Sequence, residues 1–246
     1  MTILETIRPD WPLSDRLNVC TTTRKGGVSV APYDQLNVAD HVDDIPASVS
    51  ANRQLLQDVL DLPSVPKWLQ QTHSTDVIAA HTMRSERAQA DAVFTDSGEH
   101  VCAVMTADCL PVVLCDDNAT CLAVAHAGWR GLIHGVINNT VRMMAKQCAP
   151  SYAWLGPAIG PEAFQVGSDV YQIYTQRNSR LTGCFTAIAS NKWTLDMYAA
   201  ARIILNDLGV RHIYGGDYCT FSDADRFFSY RRDGVTGRMA TLAWKK

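Results

Sequence analysis

Two hydrophobic rhythms divide this chain. The first is a set of short, nearly continuous apolar runs bounded by polar or turn residues, at 18–22, 67–69, 77–80, 92–95, 101–105, 111–115, 121–125, 153–155 and 212–214. Runs of this length predict strands. The second has the period of an amphipathic helix. One such segment follows Asp44, has Pro46 near its first turn and gathers Val49, Leu56, Val59 and Leu60 on one face. A second, over 132–147, carries Ile133, Val136, Ile137, Val141 and Met144 as one stripe. A third starts with Thr194 as N-cap, runs to about Leu208 and stops at Gly209. "FFSYRRDG" and "RMATLAW" predict a hairpin joined at Asp233-Gly234 and Gly237. Strands outnumber helices, and some pair through short turns, as at 116–119. The order is not a regular β-α-β alternation. The expectation is an α/β (α+β) fold: mixed β-sandwich layers flanked by helices, in a single domain.

Composition narrows the function more than the fold. Of 246 residues 47% are hydrophobic, enough for a sizeable core. No repeat or Gly/Ser linker divides the chain. Net charge is −3 without runs of like charge, so neither nucleic acid nor an anionic membrane is expected as a partner. Apolar stretches are too short to span a bilayer. "MTILETIRPDW" lacks the basic start and apolar stretch of a secretory signal. The eight cysteines include no CxxC pair and several sit in apolar runs, which predicts reduced thiols and a cytoplasmic protein.

Three polar residues interrupt this pattern at the ends of strands. "WLQQTHS" places His73 just past one run, "AVMTADCLP" places Cys109 past a second, and "LAVAHAGWRG" places His126 past a third. Ligand sites collect at the C-terminal ends of strands in open sheets. Two imidazoles and a thiolate form an open metal-ligand set, suited to Zn²⁺ and also to copper. The same residues are also compatible with an ordinary surface histidine and a core cysteine. His41, His81, His100, His134 and His212 have no comparable company and are read as structural or solvent-exposed. Arg130 stands at a helix start, where an anion is favoured, or else pairs with a carboxylate such as Asp108. Trp129 can stack on a purine or pack beneath its loop. Arg231 and Arg232 can reach the site or solvate a hairpin.

At these residues the chain resembles the laccase-domain family, labelled multicopper polyphenol oxidases and regarded as zinc-dependent purine nucleoside phosphorylases. The resemblance spans "TTRKGGVS", "PYDQLNVADHVDD", "WLQQTHS", "ADAVFTD", "VCAVMTADCLPVV", "AHAGWRG", "WLGPAIGPEAFQVG" and "FFSYRRDGVTGRM". It implies that His73, Cys109 and His126 are metal ligands and that Arg24 is a functional arginine. The family pattern at the first histidine is Gln-Val-His-Gly, and this chain has Gln71-Thr72-His73-Ser74. The added side chain narrows the turn or places a hydroxyl near the metal.

The implied activity is phosphorolysis of adenosine, inosine, guanosine or methylthioadenosine to free base and ribose 1-phosphate, with adenosine deamination as a side activity. Catalysis would fall to His73, Cys109, His126 and Arg24, with Arg24, Arg130 and Trp129 holding phosphate or substrate. The expected partners are a purine nucleoside and phosphate, and the expected state is a monomer. Three alternatives remain open. One is a cysteine or zinc hydrolase that edits a peptidoglycan precursor, with Cys109 as nucleophile. Another is a copper-dependent polyphenol oxidase with Met105 as axial ligand, although the His-x-His pairs of multicopper oxidases are absent. The last is a zinc-stabilised binding module, which an open three-ligand site disfavours.

Overall fold

Most of the apolar runs assemble into two sheets packed face to face, while Leu69–Gln70 pairs with Ala88–Gln89 in a separate two-stranded sheet. In this computed structural model, which describes residues 4–84 and 88–246, the larger sheet has six strands. Their order is His212–Gly215, Tyr152–Leu155, Leu110–Cys115, Leu122–Ala127, Ala92–Thr95 and Val77–Ala79. The outermost pair on each side is parallel and the others are antiparallel. The second sheet is antiparallel throughout, in the order Thr6–Ile7, Leu17–Thr22, Met239–Lys245, Cys102–Thr106.

Side chains alternate across a strand, and here both faces are buried. Val112, Leu114, Ala123 and Ala125 point to the helical side, where they meet Ile133, Val136, Ile137, Val141 and Met144. Val113, Cys115, Leu122 and Val124 point the other way, onto Val19, Cys102, Val104 and Ala243 of the second sheet. The far face of that sheet, with Cys20, Ala103, Met105 and Leu242, is covered by Leu36, Val38 and Leu56, the last from helix Pro46–Leu60. The result is the expected sandwich of β layers between helices. Double-sided burial explains why these strands read as unbroken apolar runs.

Several local expectations need correction. The 132–147 helix is two helices, Trp129–His134 and Val136–Met144, broken at Gly135. Gly135 sits at φ +105°, open to glycine at little cost. The third helix is Met197–Asp207, and Asp196 rather than Thr194 caps it by accepting the Ala199 N–H at 2.9 Å. Thr194 lies in strand Lys192–Leu195, which belongs to a three-stranded sheet with Gln165–Gly167 and Phe185–Ala189. In helix Pro46–Leu60, Val59 is exposed, while Asn52 is buried and ties the helix to the Ser29, Gln35 and Asn37 loop.

At the C-terminal side only Met239–Lys245 is a strand. The proposed first arm of the hairpin turns into a short helix, Tyr230–Asp233, because Ser229 and Asp108 accept the N–H groups of Arg232 and Arg231. The cysteines are not all reduced. The segment after helix Val136–Met144 brings Cys148 back to Cys121, with Cα atoms 6.4 Å apart, and the two form a disulfide. No helix among the described residues is long and apolar enough to cross a membrane.

Candidate functional site

The three strand-end residues converge. The ligand atoms of His73, Cys109 and His126 all lie within 4.8 Å of one another. His73 Nε2 is 3.8 Å from Cys109 Sγ, and the two imidazole rings meet edge to face at 4.8 Å. His126 is buried, Cys109 half-buried and His73 exposed, so the group opens to one side.

A residue overlooked in the sequence organises this cluster. Asp91, fully buried, lies just before strand Ala92–Thr95. One of its oxygens is 2.8 Å from His126 Nδ1. The carboxylate also accepts the backbone N–H groups of Thr72, His73 and Ser74 at 3.1, 3.1 and 2.6 Å, and the Ser74 hydroxyl at 2.8 Å. Successive N–H groups curled around an anion form a nest, and charge-assisted bonds of this kind are the strong ones. They hold His73 at φ +59°, a left-handed conformation that costs a non-glycine residue about 1–2 kcal/mol. The same carboxylate fixes the His126 ring so that Nε2 is the free ligand atom, the outer-shell arrangement of metal-binding histidines. The Ser74 hydroxyl therefore acts on Asp91 rather than at the metal position.

Gln71 supplies a second clamp. Its amide exchanges two hydrogen bonds with the backbone of Met105, at 2.7 and 2.8 Å, and so pins the histidine turn to the end of strand Cys102–Thr106. Gly128 makes room for the cluster. A Cβ there would stand 2.9 Å from Cys109 Sγ and 3.0 Å from the His73 ring. Close approach, not positive φ, is the reason for this glycine.

Electrostatics reinforce the geometry. Burial would raise the Cys109 thiol, but His126 and His73 outweigh it and bring the pKa down to about 6. Burial disfavours a charged His126, yet the Cys109 thiolate and Asp91 push it up to about 9. Burial of Asp91 is likewise overcome by His126 and Ser74, which hold it at about 2. Cys102 and Cys115, buried without such partners, are pushed up beyond the ordinary thiol range. The donor set, the space left by Gly128 and the fixed His126 tautomer all fit a tetrahedral metal ion with one open position.

The triad forms one wall of a cavity of about 570 Å³. Trp129 is in that wall, half-buried, with its ring packed on the helical-side core and the Arg130 guanidinium 4.2 Å above it. The packing expected for Trp129 is what the ring shows. Arg130, exposed, lies in the first turn of helix Trp129–His134 and lines the cavity. Its alternative pairing with Asp108 does not form, because Asp108 accepts the Thr220 hydroxyl at 2.6 Å and the Arg231 N–H at 2.7 Å. Asp108 anchors two loops and is not a free base.

Arg24 is not among the residues around this cavity. It lines a separate pocket with Lys25 and Asp34. There it pairs with Asp34, donates to the Ala224 carbonyl and stacks on Phe228. Arg231 lines the main cavity, whereas Arg232 is used on the carbonyls of Thr220, Phe221 and Phe227. His41, read from the sequence as structural or solvent-exposed, and Arg238, which the sequence did not single out, also line the cavity.

Fold and site together define an α/β protein with an open His-Cys-His centre at the strand ends of a two-sheet sandwich. The sequence profile of the multi-copper polyphenol oxidoreductase laccase family matches residues 18–246, and the chain belongs to that family. It is 44% identical to the purine nucleoside phosphorylase of Haemophilus influenzae, covering 98% of this chain and 99% of that protein. It is also 44% identical to the purine nucleoside phosphorylase YfiH of Escherichia coli, covering 97% and 98%. Among solved structures, a Neisseria meningitidis protein superposes with a TM-score of 0.93 at 45% identity, covering 99% of both chains. YlmD from Geobacillus stearothermophilus superposes with 0.86 at 30% identity, covering 96% and 94%.

Proposed function

We propose that this chain is a purine nucleoside phosphorylase, a single-domain monomeric enzyme of the cytoplasm, with His73, Cys109 and His126 as ligands of a zinc ion. The observation that carries the reading is the convergent, open triad on a cavity wall, in a chain 44% identical to proteins named for this activity. In phosphorolysis a phosphate oxygen bonds to C1′ of the ribose, the C1′–N9 bond breaks, and its electron pair leaves with the purine, which takes up a proton. Zinc bound at the triad would supply Lewis-acid polarisation of an oxygen. Asp91 keeps His126 in one tautomer, and Gln71 with the Asp91 nest holds His73 in place. Trp129, beneath Arg130, would give the base an apolar wall. A cavity of this size suits a nucleoside with its co-substrate.

The test is direct. Zinc-loaded protein given inosine or adenosine with phosphate should release free base and ribose 1-phosphate. His73→Ala, Cys109→Ala and His126→Ala should each lose bound metal and turnover. Full activity in all three would discard the assignment.

One observation favours a second reading. Cys109, His126 and Asp91 stand in the relation of nucleophile, base and orienting carboxylate. A cysteine hydrolase would keep its activity in the presence of a chelator and lose it when an electrophile traps Cys109.

A further inference from the structure

The cavity beside the triad carries positive charge that the chain leaves unanswered. Arg130, Arg231 and Arg238 all line it, and none has an ion-pair partner among the described residues. Several arginines elsewhere are paired, as in Arg24–Asp34, Arg180–Asp207, Arg226–Asp223 and Arg232–Asp233. The one carboxylate on the lining is Asp108, and both its oxygens are already engaged.

Arg238 makes the most side-chain hydrogen bonds of the three. Its backbone N–H donates to Asn37 Oδ1 at 3.0 Å, and Nη1 donates to the Thr236 and Gly237 carbonyls at 2.8 and 3.0 Å. Nε and Nη2 are left with no acceptor among the described residues. A guanidinium held at one corner and free along another edge is ready for bidentate binding of an oxyanion. Thr106 lies next to it, since its strand partner is Met239, and Thr106 also lines the cavity. The Thr106 hydroxyl is buried and has no hydrogen-bond partner, and the same is true of Thr236. Buried donors are rarely left unpaired in a folded protein. Arg231 is positioned by its Nη1 bond to the Gln165 carbonyl at 2.9 Å and by stacking over Phe164.

We propose that Arg238, with Arg231 and the Thr106 hydroxyl, forms a subsite for a tetrahedral oxyanion, and that the oxyanion is the inorganic phosphate of the phosphorolysis reaction. The site for the anion stands on the geometry alone, and its assignment as co-substrate rests on the reading given above. Arg24, engaged with Asp34 in a separate pocket, is not part of it.

Calorimetric titration of the zinc-loaded full chain with inorganic phosphate tests this without relying on turnover. Wild type should bind phosphate, Arg238→Gln should bind it about 10–100-fold more weakly, and Arg238→Lys should recover part of the loss. Zinc content should match wild type in both. If Arg238→Gln does not fold, modification of the wild-type arginines by phenylglyoxal, mapped by mass spectrometry, replaces it. Phosphate should then shield Arg238 and Arg231. Failure of wild type to bind phosphate, unchanged binding in Arg238→Gln, or protection of Arg24 instead would overturn the proposal. Binding that depends on Arg238 in a protein unable to cleave nucleosides would keep the oxyanion subsite and remove the phosphorylase reading.

Discussion

Two kinds of charged group at the cavity are held on opposite plans. At the triad, the Asp91 carboxylate is sealed from water and every bond it can accept comes from its own chain: three backbone N–H groups, a hydroxyl and an imidazole. On the same cavity Arg238 and Arg231 are fixed in place by carbonyls but have no ion-pair partner among the described residues. Leaving a charge without a partner is unfavourable in either setting. A charge answered within the chain builds the framework. A charge held rigid and unanswered is reserved for something that arrives from outside.

This contrast can be broken at either end. The largest effect is expected from Asp91→Ala, which orphans the His73 turn and His126 together. Removing one partner from a buried ion pair costs about 3–5 kcal/mol, which for a chain of this size lowers Tm by roughly 10 °C. Zinc affinity should fall about 10–100-fold as well. Differential scanning calorimetry and metal titration check both, and a Tm within a degree of wild type would show that the nest is dispensable.

An intermediate effect concerns reactivity. With its pKa lowered to about 6, Cys109 in metal-free protein is mostly thiolate at neutral pH. Its alkylation should be nearly independent of pH above about 7 and slow roughly tenfold per unit below about 6. Cys102 and Cys115 should stay unlabelled throughout. An alkylation profile for Cys109 that rises only near pH 9 would contradict the thiolate–imidazolium pairing. The smallest effect belongs to Ser74→Gly, which removes one hydroxyl bond to Asp91 and leaves the backbone bonds in place. A loss of about 1 kcal/mol in unfolding free energy is expected, with zinc affinity changed only a few-fold. A larger change would mean that the serine does more than steady the carboxylate.

The layers of the fold and the triad were legible because each depends on local pattern. Apolar runs announce doubly buried strands, and a histidine or cysteine at the end of such a run stands out against it. What the sequence hid depends on convergence. Asp91 lies within "ADAVFTD", yet nothing local shows that it will bind the Thr72, His73 and Ser74 turn and a ring on another strand. Arg238 reads like any arginine before a strand until its missing counter-ion is seen. Arg24 had the stronger local signal, a glycine-rich turn, but that turn serves Asp34 and the Ala224 segment. The break at Gly135 and the lost hairpin at 227–234 have a common cause. Helical and strand periodicity persisted in the sequence, while one glycine in the first case and two capping side chains in the second redirected the backbone.

Strand Met239–Lys245 lies inside its sheet, between Leu17–Thr22 and Cys102–Thr106, although it follows both by a long way in the chain. During synthesis those two earlier strands have no common neighbour until residues past 239 emerge. Pairings between such distant segments are slow to form, because the closure of long loops precedes the gain from contacts. Arg238 stands at the entrance to this late strand, and Met105 and Thr106 end one of the strands it must join. The cavity should therefore be completed among the last steps of folding, and the nascent chain should acquire its capacity for ligand only after this central strand has been inserted.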